Sequence, residues 1–210
     1  MLDFGFYNMD CMDGMKEFPD KYFDLAIVDP PYRNMSENQP TKDMRQRGTM
    51  AKFGNKPDQE YFNELFRVSK EQIIWGANNF TLPNYKGFIV WDKGISQDFT
   101  MSMAELAFIS DGLGTISKIV TIRSSGSDNG MKIHPTQKPV SLYEWLLTRY
   151  AKQGDKILDT HVGSASSLIA CHKLGFPFVG FELDETYYNM ARKRLEAEQA
   201  QMSLFEEVSK

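Results

Sequence analysis

Lys156-Ile-Leu-Asp159-Thr-His-Val-Gly163-Ser164-Ala-Ser-Ser167 reads as a strand, a tight glycine turn and the start of a helix. Gly163 lets the backbone approach a ligand closely, and the free N–H groups of a helix start favour a carboxylate. Asp159, at the strand end, is suited to the ammonium of an amino-acid moiety. The next apolar run, Val179-Gly180-Phe181, leads into Glu182, where an acid can hold ribose hydroxyls. By itself this pair of strands says only that a nucleotide-like cofactor binds here.

The same alternation extends in both directions. Phe23–Val28, Gln72–Trp75, Gly87–Trp91, Leu106–Ile109, Lys156–Leu158 and Phe178–Phe181 are short apolar runs that read as buried strands, with a further β-prone stretch at Ser117–Ile122. Residues 58–70 carry Tyr61, Leu65 and Val68 at helical spacing. Val140–Tyr150 follows Pro139, a good helix opener, and Leu142, Leu146 and Tyr150 share a face. Ser164–Leu174 is expected to be a helix closed by Gly175, and 184 to about 199 a long charged one. Strands alternating with helices predict an α/β fold with a mostly parallel sheet and helices on both faces, where ligands sit beyond the carboxyl ends of the strands.

The chain has 210 residues, which suits one domain. Segments 33–57 and 111–133 read as insertions: the first is polar with neither helical nor strand periodicity, and the second is rich in Ser, Gly and Asp around its short β-prone stretch. No apolar run is long enough to span a membrane and no signal peptide opens the chain, so a cytoplasmic location is expected. The two cysteines, Cys11 and Cys171, exclude a disulfide scaffold, and the three histidines give no zinc-ligand spacing, so no metal is expected. The net charge of −4 hides an uneven distribution. Arg33, Lys42, Arg45, Arg47, Lys52 and Lys56 crowd one segment, and Lys118, Arg123, Lys132 and Lys138 another, on an otherwise acidic chain. These are either two solvated loops or a local polyanion-binding face.

Phe23–Val28 ends in Asp29-Pro30-Pro31-Tyr32. The exocyclic amine of adenine or cytosine is a poor nucleophile, since its lone pair is delocalised into the ring. A pair of acceptors can hold its two hydrogens and bias the nitrogen toward sp³. The Asp29 carboxylate and the Pro30 carbonyl can be that pair, with the prolines fixing the backbone and removing competing N–H groups. Tyr32 offers a ring on which an extruded base can stack. A further run, His134-Pro-Thr136-Gln137-Lys138-Pro139, enters the helix at Val140.

Taken together, these motifs and their order resemble the β-group of DNA amino-methyltransferases over essentially the whole chain. The Asp-Pro-Pro-Tyr motif comes first, the His-Pro-Thr-Gln-Lys-Pro run second, and the cofactor loop 159–167 third, followed by Gly180-Phe-Glu182. The resemblance implies a Rossmann-like methyltransferase fold with a seven-stranded sheet and S-adenosylmethionine as methyl donor. It places Asp29, Pro30, Pro31 and Tyr32 at the target base. It assigns Asp10, Cys11, Asp29, Thr136, Gln137, Lys138, Asp159, His161, Gly163, Ser164, Glu182 and Leu183 to the cofactor. The reaction it implies is site-specific methylation of N6 of a flipped-out adenine in double-stranded DNA, with N4 of cytosine or a non-catalytic DNA-binding relative as alternatives.

The cofactor loop departs from the family pattern Asp-Pro-Phe-x-Gly-Ser-Gly, because Thr160 and His161 replace Pro-Phe and Ala165 replaces the last glycine. His161 keeps an aromatic ring that can border the cofactor, and Ala165 is expected to lie on already helical backbone. Arg33, Lys42, Arg45, Arg47, Lys52 and Arg123 are the candidate DNA contacts. So small a recognition region suits a short target or a homodimer. Gln201-Met-Ser-Leu204-Phe205 resembles the peptide with which bacterial replication and repair proteins dock on the sliding clamp, on a tail, 200–210, expected to be flexible.

Overall fold

Phe23–Val28 forms a strand at the centre of the sheet, buried at five of its six positions. The computed structural model describes residues 1–33, 55–98, 102–123, 132–134 and 136–208, with side chains as far as Gln201. In chain order the elements are β1 (Gly5–Asn8), α1 (Cys11–Lys16), β2 (Phe23–Val28), α2 (Gln59–Val68), β3 (Ser69–Trp75), β4 (Phe88–Asp92), β5 (Ala104–Ile109), β6 (Lys118–Thr121), α3 (Val140–Tyr150), β7 (Ile157–Asp159), α4 (Ser166–Leu174), β8 (Phe178–Glu182) and α5 (Glu185–Val208).

The strands make one sheet in the order β1-β8-β7-β2-β3-β5-β4-β6. Only β5 runs against its neighbours, pairing antiparallel with β3 and with β4; the other described pairings are parallel. Two consequences fix the site. The carboxyl ends of β1, β8, β7, β2, β3, β4 and β6 lie along one edge, and β5 brings its amino end to that same edge.

Alternation along each strand divides the core in two. Leu25, Ile27, Ile73, Trp75 and Ile157 face α3 and α4, packing with Leu142, Leu146, Leu168 and Ile169. Ala26, Val28, Ile74, Leu158 and Phe181 face the other way, onto Met15 of α1 and Tyr61, Phe62, Leu65 and Val68 of α2. Burying both faces is what makes these strands continuous apolar runs. Asp58 caps α2 by accepting the Tyr61 N–H at 3.2 Å. Gly175 closes α4 in the left-handed region at φ +73°. Among the described residues no helix is long and apolar enough to cross a membrane.

Four expectations need correction. The sheet has eight strands rather than seven, because Gly5–Asn8 joins the seven runs read from the sequence as an edge strand parallel to β8. The short helix Cys11–Lys16 was not expected from its letters. The final helix continues to Val208 rather than ending near 199. The helix after the glycine turn starts at Ser166 rather than Ser164, and Ala165 before it is left-handed, at φ +64°, rather than helical. A β-carbon there crowds the backbone and costs roughly 1 kcal/mol.

Candidate active site

Asp29 follows β2 directly and is partly buried at the carboxyl edge of the sheet. Its two oxygens are held by different donors. The Tyr32 hydroxyl donates to Oδ1 at 2.7 Å, and the Lys138 ammonium donates to Oδ2. Lys138 is buried, with its side chain only 3% exposed, and also reaches Glu105 Oε2 at 3.0 Å. Glu105 Oε1 takes Lys93 at 2.7 Å. The four charges therefore alternate, Asp29, Lys138, Glu105, Lys93, over a floor of Trp75 and Trp91 whose rings lie 5.5 and 5.3 Å from the two ammonium groups. Against the cost of burial, Lys138 and Lys93 hold Glu105 down at about 2. Despite its own burial, Lys138 is held above the ordinary lysine range by Asp29 and Glu105.

The Tyr32 ring rests on the backbone of Gly76, just past the end of β3. A β-carbon at Gly76 would lie 2.1 Å from the ring, and Gly76 sits at φ +71°. Phe80 meets the ring edge-on at 6.1 Å. Burial, then Asp29 and Glu105, push the phenol well above its usual range, so it is a hydroxyl donor at neutral pH. Pro30 is buried and Pro31 partly so.

The glycine turn lies beyond β7. Asp159 is 2% exposed, and its carboxylate accepts the Ser167 hydroxyl at 2.5 Å and the His161 N–H at 3.0 Å. Burial pushes it up to about 7, those two hydrogen bonds oppose the rise, and the charges of Asp29 and Glu182 add to it. Glu182, at the end of β8, accepts the backbone N–H of Gly163 and of Asp184, each at 2.9 Å, and burial raises it too. Gly163 has φ +57°, and a β-carbon there would meet the His134 ring at 3.6 Å, so the His-Pro-Thr-Gln-Lys-Pro run adjoins the turn. Burial lowers both His134 and His161 to about 4, leaving neutral imidazoles.

The departures from the family pattern have a physical account. Thr160 Oγ1 is 2.6 Å from the buried Tyr61 hydroxyl and 2.9 Å from His161 Nδ1. The His161 ring meets Tyr61 edge-on at 5.4 Å. Tyr61 and the two replaced residues thus form one polar unit in which the phenol has a partner, as a buried hydroxyl requires.

Other expected cofactor residues divide. Asp10 caps α1 by accepting the Met12 N–H at 2.8 Å. Burial, then Asp10, push the Cys11 thiol up to about 12, which leaves it inert. Leu183 is a large apolar side chain 57% exposed beside Glu182. Gln137 turns back on its own loop, accepting the Ile133 N–H at 3.1 Å, and Thr136 Oγ1 lies 3.0 Å from His134 Nδ1. The Ser164 hydroxyl pairs with that of Ser166 at 3.1 Å. Lys138 is drawn to Asp29 and Glu105. Arg33 and Arg123 are exposed, each just past the carboxyl end of its strand. Lys42, Arg45, Arg47 and Lys52 lie outside the described residues, as do the side chains of Leu204 and Phe205. Glu105 and Lys93 were missed from sequence; the only signal was an acid at the start of an apolar run.

A family model described as DNA methylase, covering N6 and N4 methyltransferases, matches residues 46–193. The chain belongs to this DNA methylase family. Its methyl donor is S-adenosylmethionine. Similar to this DNA methylase is the type II methyltransferase M2.DpnII of Streptococcus pneumoniae, 46% identical over 65 residues that make up 31% of this chain and 24% of that protein. Among solved structures, M1.HpyAVI with S-adenosylmethionine superposes with a TM-score of 0.61 at 19% identity, over 90% of this chain and 98% of that one. The cytosine-N4-specific PvuII DNA methyltransferase gives 0.63 at 12% identity, over 91% and 86%. At these identities the two structures speak for the fold alone.

Proposed function

We propose that this DNA methylase methylates N6 of an adenine extruded from double-stranded DNA, with Asp29 as the group that receives the amine. The carrying observation is Asp29 itself. One of its oxygens holds an O–H donor and the other an N–H donor, so the carboxylate is built to accept hydrogens in two directions. An incoming amine replaces the Tyr32 hydroxyl on Oδ1, and its nitrogen then turns its lone pair outward. Asp29 or solvent takes the proton released once the nitrogen is alkylated. Extruding the base costs a few kcal/mol of stacking, which stacking on the Tyr32 ring and phosphate contact by Arg33 would offset.

S-adenosylmethionine, when bound, supplies its methyl group as an electrophile. The residues around the glycine turn fit it by charge. Asp159 is a buried and Glu182 a partly buried carboxylate, both raised by desolvation, and each accepts only uncharged donors among the described contacts. A cationic ligand relieves that cost. Asp159 would take the ammonium end, Glu182 the ribose hydroxyls, Gly163 the close backbone approach, and Leu183 an apolar ring face. In the family that the sequence resembles, Asp-Pro-Pro-Tyr goes more often with adenine than with cytosine. The exposed Arg33 and Arg123, on the same edge, suit the flanking phosphates.

Methyl-labelled S-adenosylmethionine incubated with duplex DNA, followed by digestion to nucleosides, tests the reading. N6-methyladenine that disappears with Asp29→Ala is expected. Label found as N4-methylcytosine would overturn the choice of base, and an absence of label in DNA would overturn the whole proposal.

A further inference from the structure

We propose that Glu105 is a positioning residue for methyl transfer, serving as the second acceptor onto which the Tyr32 hydroxyl moves when a base amine takes Asp29 Oδ1. The inference rests on the methylation reading above. The Tyr32 hydroxyl has one hydrogen and two carboxylate oxygens within reach, Asp29 Oδ1 at 2.7 Å and Glu105 Oε2 at 3.3 Å. In the position described it occupies the oxygen that the amine needs. A buried hydroxyl that leaves one partner without finding another carries its full desolvation penalty. Glu105 Oε2 provides that partner with a small swing of the phenol, because the ring is already seated on Gly76 and edge-on to Phe80.

Glu105 is itself fixed for the purpose. Lys93 holds Oε1 at 2.7 Å, so Oε2 stays turned toward Tyr32 and Lys138. Lys138 bridges Oε2 to Asp29 Oδ2, which keeps the two carboxylates in register while the hydroxyl changes sides. The residue reaches this position because β5 is antiparallel: Glu105 pairs in register with Trp91 of β4, and so stands at the carboxyl edge where Asp29 ends β2. Either exocyclic amine would trigger the exchange, so the inference does not depend on adenine.

A double-mutant cycle in single-turnover methylation of duplex DNA tests it, using E105A, Y32F and E105A/Y32F. S-adenosylmethionine affinity by calorimetry and thermal melting serve as controls for folding. E105A is expected to slow transfer about tenfold or more in the wild-type background while leaving S-adenosylmethionine affinity within about twofold. In the Y32F background, where no hydroxyl has to move, the same change should cost no more than about threefold. E105Q, which keeps an acceptor oxygen, stands in if E105A melts too low, and should slow transfer less than E105A does. Equal losses in both backgrounds would overturn the proposal while leaving the methylation reading intact. A wild-type protein that labels no DNA would overturn both.

Discussion

Replacing Asp159 with asparagine should make the protein more stable at alkaline pH while removing its grip on S-adenosylmethionine. Asp159 is 2% exposed, and burial lifts its carboxyl from an ordinary 3.8 to about 7. Between those values the folded protein holds a proton that the unfolded chain has released. The contribution of Asp159 to stability therefore falls as pH rises from about 4 to about 7 and stays low above that, and the difference between the two proteins isolates it from the opposite contribution of the two buried histidines. A gap of about three pH units corresponds to about 4 kcal/mol at 1.36 kcal/mol per unit. Asparagine keeps one acceptor oxygen for Ser167 or for the His161 N–H and loses the other bond, which returns about 1 to 2 kcal/mol. The net expectation at pH 8 is a gain of about 2 kcal/mol, or roughly 4 to 8 °C in melting temperature for a chain of this size. The gain should shrink toward zero or reverse near pH 4, where the folded carboxyl is neutral and the unfolded one is about half protonated. Melting curves of both proteins from pH 5 to 8 provide the assay. Calorimetry adds the ligand side: a cationic ligand selects the ionised carboxylate, so wild-type dissociation constants for S-adenosylmethionine should drop about tenfold between pH 6 and pH 8. A variant less stable than wild type by the same amount at every pH would refute the reasoning, since Asp159 would then be a satisfied structural group.

Three further outcomes are expected. Ala165→Gly should raise stability by about 0.5 to 1 kcal/mol in urea denaturation, because residue 165 sits at φ +64°, where alanine is strained and glycine is not. Gly76→Ala should cut methylation by at least about tenfold, since the new carbon would lie 2.1 Å from the Tyr32 ring; a rate unchanged in single-turnover assays would mean that the ring position is irrelevant. Thr160→Val should cost about 1 to 3 kcal/mol in the same denaturation experiment, because it leaves the buried Tyr61 hydroxyl without its 2.6 Å partner, and the loss should shrink in a Tyr61→Phe background to what the His161 Nδ1 contact contributes.

Much of the sheet is legible in the letters because each central strand is buried on both faces and so appears as an unbroken apolar run. Asp29, Asp159 and Glu182 are legible for a related reason: each is the acid that ends such a run, and a parallel sheet carries those ends to one edge. Glu105 escapes that logic. It begins a run instead of ending one, and only the reversed direction of β5, which no local letter encodes, brings it to the site. The helix at Cys11–Lys16 escapes too, since it is six residues long and contains Gly14. That glycine is required by contact rather than by conformation, because a β-carbon there would lie 2.4 Å from the Phe181 ring. The left-handed Ala165 is hidden in the same way: alanine promises a helix, and the tight path from Gly163 into α4 overrides it.

The charges along the carboxyl edge are arranged to suit two different ligands. At Asp29 the negative charge is matched by Lys138, which Glu105 and Lys93 in turn balance. A neutral base amine entering there meets a carboxylate that can accept hydrogens without the cost of an unpaired buried charge. At Asp159 and Glu182 the described residues offer no ion pair, and both carboxyls are raised by burial. An uncompensated pair of acids repels a neutral guest less than it rewards a cationic one, and the family's methyl donor carries a sulfonium and an ammonium. On the proposed reading the two halves of the edge discriminate by charge before any shape is considered. On the same proposed reading, Lys138 turns toward Asp29 and Glu105 and so leaves Asp159 free of a cation that would compete with the methyl donor there.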